Sequence, residues 1–164
     1  MASVRFGILA LVILSACAGS KSTSFEHSDE CPNPTLESMS WELTQGVLVE
    51  VSGAQTVRVR TDAGRLVNVV VVNIADRKNP EADAILRSWI GRRVSVVGNY
   101  HREGDVIMAE VNDATTGKDL ARELLRMGAA TFEPAAPYTL SDYSECLNRI
   151  AEREAKAERL GIWR

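Results

Sequence analysis

The chain has 164 residues, 45% of them hydrophobic and 25% charged, with 19 basic against 22 acidic side chains and a net charge of −3. That acidic balance argues against a protein whose main task is to hold a polyanion, since such proteins are usually basic. Two histidines, His27 and His101, and three cysteines form no cluster with metal-ligand spacing, which argues against a Cys/His metal centre.

Residues 1–16 carry one basic side chain, Arg5, an apolar run over 6–14, and Leu14-Ser15-Ala16 ahead of Cys17. This is the grammar of a secretory signal, and the run is too short for a membrane-spanning helix, which needs about 20 apolar residues. The Leu-Ser-Ala-Cys run resembles the bacterial lipoprotein processing box, in which the cysteine is acylated and becomes the first mature residue. The resemblance implies a lipid anchor at Cys17 and a membrane as partner. Ala18, which is not aspartate, implies the outer membrane rather than the inner one. The alternative is an ordinary signal peptide with an incidental cysteine.

Removing 1–16 leaves about 148 residues with 18 basic against 22 acidic side chains, enough for one domain with a real core and little room for two. Setting Cys17 aside leaves Cys31 and Cys146, which are expected to bridge in an oxidising compartment. The alternative is two free thiols, with Cys146 buried in a helix. Residues 17–41 are rich in Ser, Thr, Pro and Glu and read as a tether, with the folded domain over 42–164.

In the domain Val47, Val49 and Val51 alternate with other residues, Val57 and Val59 alternate with Arg58 and Arg60, and Asp62-Ala63-Gly64 turns the chain into a strand over 66–74. Asn79 as cap and Pro80 at the first position predict a helix burying Ala82, Ile85, Leu86, Trp89 and Ile90 and ending at Gly91. Strands are expected at 94–100 and 106–112, joined by a polar turn at 101–105. A second helix is expected from about 119 to 127, stopping at Gly128, with Leu120, Leu124 and Leu125 inward. The third starts at the Ser141 cap and runs to Leu160, its outer face charged and laced with weak ion pairs. Five strands with a helix after the third and helices after the fifth predict an α+β, mainly β fold: a five-stranded Greek-key barrel of the OB type with three helices.

Two segments sharpen that expectation. Ala151-Glu152-Arg153-Glu154-Ala155-Lys156 through Leu160-Gly161-Ile162-Trp163, together with Leu124-Leu125-Arg126-Met127-Gly128-Ala129-Ala130, resembles the closing segments of the staphylococcal-nuclease-like, or thermonuclease, family. Element order agrees over some 120 residues, from about Gln45 to the C-terminus. The resemblance implies phosphodiester hydrolysis with one calcium on carboxylates, a glutamate acting on water, and two arginines facing the phosphoryl oxygens. Each group has a chemical reason: hard oxygen ligands for calcium, a base within reach of water, and fixed positive donors where charge develops.

Carried onto this chain, most of that set is replaced. The family's first acidic motif falls on Gly53-Ala54-Gln55-Thr56, so Gln55 stands where a calcium carboxylate belongs. The first arginine falls on Asn68, and the run at the end of the third strand falls on Asn73-Ile74-Ala75-Asp76. Asn73 and Ile74 thus take the metal positions, and the shorter Asp76 takes that of the catalytic glutamate. The second arginine falls on Asp105, which reverses the charge. Losing one preorganised donor costs about 100- to 1,000-fold in rate, and calcium affinity falls with ligand charge.

A different charged set at one barrel mouth could draw on Asp76, Arg77, Lys78, Arg102, Glu103 and Asp105, although these also read as ordinary loop charges. Arg102 matches a position that is basic in many family members and contacts a terminal phosphate. Arg58, Arg60 and Arg65 read as a solvated strand face. Tyr100 and Tyr138 are the only candidates for stacking on a base, Trp89 and Trp163 having core positions.

The expectation is therefore a lipid-anchored envelope protein whose nuclease-like barrel has lost calcium-dependent cleavage and acts as a binding or interaction module, with an envelope protein as partner and no cofactor. The alternatives are a divergent tethered nuclease, for which Ca2+ would be the cofactor, and nucleic-acid binding without cleavage.

Overall fold

The computed structural model describes residues 28–32, 42–75, 79–98, 106–134 and 141–164. The candidate positions Cys17, Asp76, Arg102, Asp105 and Tyr138 lie outside the described residues, as do His27, Arg77, Lys78, Tyr100, His101 and Glu103. Five strands, β1 (Glu42–Val51), β2 (Thr56–Thr61), β3 (Leu66–Val71), β4 (Arg93–Gly98) and β5 (Val106–Asp113), close into a barrel in the order β1-β2-β3-β5-β4. The β3 and β5 strands run parallel and all other pairs are antiparallel, so the expected OB-like Greek-key barrel is present.

The ten-residue β1 serves two neighbours: it pairs with β4 from Glu42 to Val47 and with β2 from Gly46 to Val51. At the crossover the backbones are too close for a side chain, since a Cβ on Gly46 would lie 2.3 Å from the Arg60 carbonyl oxygen. A register shift between Leu48 and Glu50 adds the bend that barrel closure requires.

Alternating residues of the strands fill the interior, with Leu48, Val57, Val59, Val69, Val71, Val94, Val96 and Val111 fully buried. This cluster is continuous with Leu86 and Trp89 at helix α1 (Pro80–Ser88) and with Leu120, Leu124 and Leu125 of α2 (Leu120–Arg126). Burying each such side chain contributes about 1.5–3 kcal/mol before conformational entropy is counted. The α1 cap works at both ends of one amide: Asn79 Oδ1 accepts from Ala82 N at 2.7 Å, and Asn79 Nδ2 donates to the Ala129 carbonyl at 2.5 Å.

Three boundaries differ from the expectation. The third strand stops at Val71 instead of reaching Ile74, because Asn73 takes a φ of 66° and turns the chain out of the sheet. Ile74 then makes an isolated bridge to Phe132. Ile90 is 44% exposed, because α1 has already ended and only Trp89 of that pair turns inward. Helix α3 (Asp142–Ala157) ends before Leu160, as Arg159 at φ 54° reverses the chain into a short 3-10 turn, Gly161–Trp163.

The two segments that carry the family resemblance meet in space. A Cβ on Gly128 would lie 2.3 Å from the Leu160 carbonyl oxygen, and one on Gly161 would lie 2.2 Å from that of Gly128. Both glycines have positive φ, so they permit at once a backbone conformation and an approach that other residues resist. Behind them Ala151 and Ala155 of α3 are fully buried, their small size letting α3 lie close to α2.

Cys31 and Cys146 are joined by a disulfide across 115 residues, as expected. It fixes residues 28–32 to α3, and Arg153 Nη2 adds a second contact to Glu30 Oε2 at 2.7 Å. The outer face of α3 carries the expected ion pairs, Glu145 with Arg149 and Glu152 with Lys156. Glu152 does more than pair at the surface: its Oε1 accepts from Phe132 N at 2.9 Å, tying α3 to the segment after α2.

Candidate functional site

The β1–β2 turn and the exit of β3 meet through the backbone. Val71 N donates to the Gln55 carbonyl at 2.8 Å, while Ser52 N and Gly53 N both donate to the Thr56 carbonyl and tighten the turn. Beyond the strand Ala75 N donates to the Thr131 carbonyl at 2.9 Å and Glu133 N to that of Asn73 at 3.4 Å. The structure therefore brings Gln55 beside the end of the strand that leads to Asn73 and Ile74.

The side chains there are neutral, Asn73 buried and Gln55 half-buried with its Oε1 inside. Asn73 is 2% exposed, and among the described residues neither of its amide atoms has a hydrogen-bond partner; the same holds for Gln55 Oε1. Leaving such groups unpaired costs about 1–3 kcal/mol each. Two amides with unmet bonding capacity thus stand at the positions that the family resemblance assigns to calcium carboxylates. As a donor set they do not fit calcium, whose binding draws on ligand charge. Among the described residues no group of three or more His, Cys, Asp or Glu side chains is arranged to hold a metal.

Asn73 also offers a test of this burial. Asn73→Gly removes an unpaired amide at a backbone conformation that glycine adopts freely, and is expected to stabilise the fold by about 1 kcal/mol. Denaturant unfolding measures this, and a loss of stability would show that the amide is held by a partner.

Asn68 stands in a different arrangement. Residues Glu50, Arg58 and Asn68 are direct cross-strand partners on β1, β2 and β3. Arg58 Nη1 meets Glu50 Oε2 at 2.8 Å, and Arg58 Nε donates to Asn68 Oδ1 at 3.1 Å. A guanidinium therefore lies beside Asn68, the position to which the resemblance assigns an arginine, but it comes from the neighbouring strand and is already held by a carboxylate. Arg58 is half-buried in this row, so only Arg60 and Arg65 keep the expected solvated character. Counting outward from the Asp62-Ala63-Gly64 turn sets Arg58 opposite Asn68, so the pairing was within reach of the sequence.

The cleft nearest this mouth, about 440 Å³, lies between the β1–β2 turn and α1 and is walled largely by Val51, Ala54, Pro80, Ala82 and Leu86. Its charged residues are Asp83 and Arg87, which pair with each other at 2.7 Å. Among the described residues it presents no set of convergent free charges for phosphoryl chemistry.

A carboxylate that sequence reasoning passed over sits elsewhere. Glu110 of β5 accepts a hydrogen bond from Ser144 Oγ of α3. Burial, and then the negative charge of Asp119, push its pKa up to about 7, against the downward pull of the Ser144 bond and Arg122. Asp113, three residues on, behaves oppositely. Burial raises it, but the Thr116 and Thr115 N–H groups, each 2.9 Å from Oδ1, and Arg92 outweigh that effect and hold it below the ordinary carboxylate range. On the alternation of β5 Glu110 reads as an outward side chain. Elements that come later in the chain cover it: Asp119 and Arg122 at the start of α2 face it, and Ser144 of α3 bonds to it.

No protein-family model matches the chain, and no curated protein matches it.

Proposed function

We propose that this is a lipid-anchored protein of the bacterial envelope whose barrel is a degenerate relative of the staphylococcal-nuclease-like family, and that it works as a binding or interaction module rather than as a calcium-dependent nuclease. The observation that carries the reading is a pair of neutral amides where cleavage of this type needs carboxylates: buried Asn73 with both amide atoms unpaired, and half-buried Gln55 with an unpaired, buried Oε1. Neutral Asn68, occupied by Arg58, supports it from the adjoining strand. The Cys31–Cys146 bond supports an oxidising compartment, where disulfides persist, and fits an exported protein. The Leu14-Ser15-Ala16-Cys17 run supports acylation at Cys17 as the anchor, with the outer membrane favoured by Ala18.

Incubation with single-stranded and double-stranded DNA and RNA across a calcium titration is expected to give no cleavage above a protein-free control. Cleavage that disappears on Asp76→Ala would overturn the reading in favour of a tethered phosphodiesterase. Binding without cleavage, weakening steeply with salt, would instead favour a nucleic-acid ligand. For the anchor, Cys17→Ala is expected to abolish lipid labelling and release the protein from membranes; a variant that still fractionates with membranes rules the anchor out.

A further inference from the structure

Glu110 opens onto a cleft of about 450 Å³ between the β4–β5 side of the barrel, the turn that follows β5, and the start of α3. This lies within the ~300–1,000 Å³ range of small-molecule sites. None of the family-equivalent positions Gln55, Asn68, Asn73 or Ile74 lines it. We propose that this cleft is a binding site for a neutral, polyhydroxylated ligand of the saccharide class. The proposal deepens the binding-module reading by naming a ligand, and it rests on that reading only in taking the barrel to bind something.

The chemistry of the walls carries the choice of ligand. Ser95, Asn112, Thr115 and Tyr143 bring hydroxyl and amide groups from four parts of the fold to one space, while Ser141 caps α3 and the Thr116 hydroxyl bonds Asp113 and Lys118 N. Such groups can both donate and accept, as the hydroxyls of a sugar do, whereas an ionic ligand calls for a fixed charge of one sign. The charged groups of the cleft are answered from within the protein. Asp113 is held by two backbone N–H groups and faces Arg92 at 3.5 Å. Glu110 accepts from Ser144 Oγ, and burial holds it above the ordinary carboxylate range, so it does not set a fixed full negative charge in the wall. Arg122, 8% exposed, supplies the balancing positive charge in the same wall. Leu147 and the half-buried Tyr143 ring add apolar surface from α3, against which the C–H face of a pyranose can pack.

The test is a titration of the full chain, followed by amide chemical shifts, with maltose, cellobiose and the disaccharide of N-acetylglucosamine, each raised to about 50 mM to reach weak affinities. Glucosamine and glucose 6-phosphate serve as charged probes. At least one neutral sugar is expected to shift the amides of Glu110, Asn112, Thr115, Thr116 and Tyr143 with a saturable dissociation constant. Asn112→Ala and Tyr143→Ala, checked for native spectral dispersion, are expected to weaken it about fivefold or more. No response to any neutral sugar, responses scattered away from these residues, variants that bind like the parent, or a response to the charged probes alone would each overturn the proposal. None of these results depends on nuclease activity or acylation, so the ligand assignment can fail while the loss of cleavage stands.

Discussion

Replacing Cys31 and Cys146 together with serine is expected to lower the unfolding free energy by about 4 kcal/mol. The bond closes a loop spanning 115 positions, for which restriction of the unfolded chain is worth roughly 4–5 kcal/mol, an upper figure because residual structure in the unfolded state reduces it. Other contacts of the bridged segment cannot replace it. The Glu30–Arg153 pair is solvent-exposed, and exposed pairs contribute about 0–1 kcal/mol. Helix α3, by contrast, keeps its own attachments through Glu152 to Phe132 N, through Ser144 to Glu110, and through buried Leu147, Ala151 and Ala155. The double variant is therefore expected to fold with α3 in place, to unfold at clearly lower denaturant, and to lose hydrogen-exchange protection first at residues 28–32. Equilibrium unfolding of the parent with and without reductant gives the same comparison without mutation. A change below about 1 kcal/mol would mean that the unfolded chain already holds these cysteines close.

Much of the barrel is legible because its determinants are local. Valines at alternate positions, the Asp62-Ala63-Gly64 turn, and Asn79-Pro80 each specify their element within a few residues. Where the reading slips, a conformation overrides a pattern. The apolar run after Asn68 does not reveal that Asn73 leaves the sheet at φ 66°, nor does the periodicity of α3 reveal the reversal at Arg159. The same limit separates the two sites. Gln55, Asn68 and Asn73 were found through the resemblance, and the hairpin register even places Arg58 beside Asn68. Glu110 gave no such signal, since its burial depends on α2 and α3 folding back over β5. Long-range packing, not local propensity, changed an ordinary strand glutamate into a carboxyl held well above its usual range.

That carboxylate should give the protein a measurable pH dependence. Between pH 5 and pH 8 the parent is expected to lose about 2–3 kcal/mol of stability relative to the Glu110→Gln variant, since one pKa unit corresponds to about 1.4 kcal/mol. Glu110 has a folded pKa of about 7, above the 4.5 expected for an unperturbed glutamate. Below about pH 4.5 both states hold the proton and the group contributes no difference. As pH rises toward 7 the unfolded chain releases the proton while the folded one keeps it, so stability falls; above 7 the folded form is ionised too and the cost is complete. The groups that face Glu110 are Asp119 and Arg122 from α2 and Ser144 from α3, and the first of these is the one that ionisation sets against it. In the Glu110→Gln variant the new amide oxygen would still accept from Ser144 Oγ, so the bond between β5 and α3 is kept while the charge is removed. Both histidines remain in each protein, so the difference between the two unfolding curves isolates this carboxyl from their titration. Parallel curves for parent and variant across the range would show that water or a rearranged Arg122 neutralises Glu110. A widening gap above pH 6 would show that the contact of α3 with the barrel is weakened when this one proton leaves.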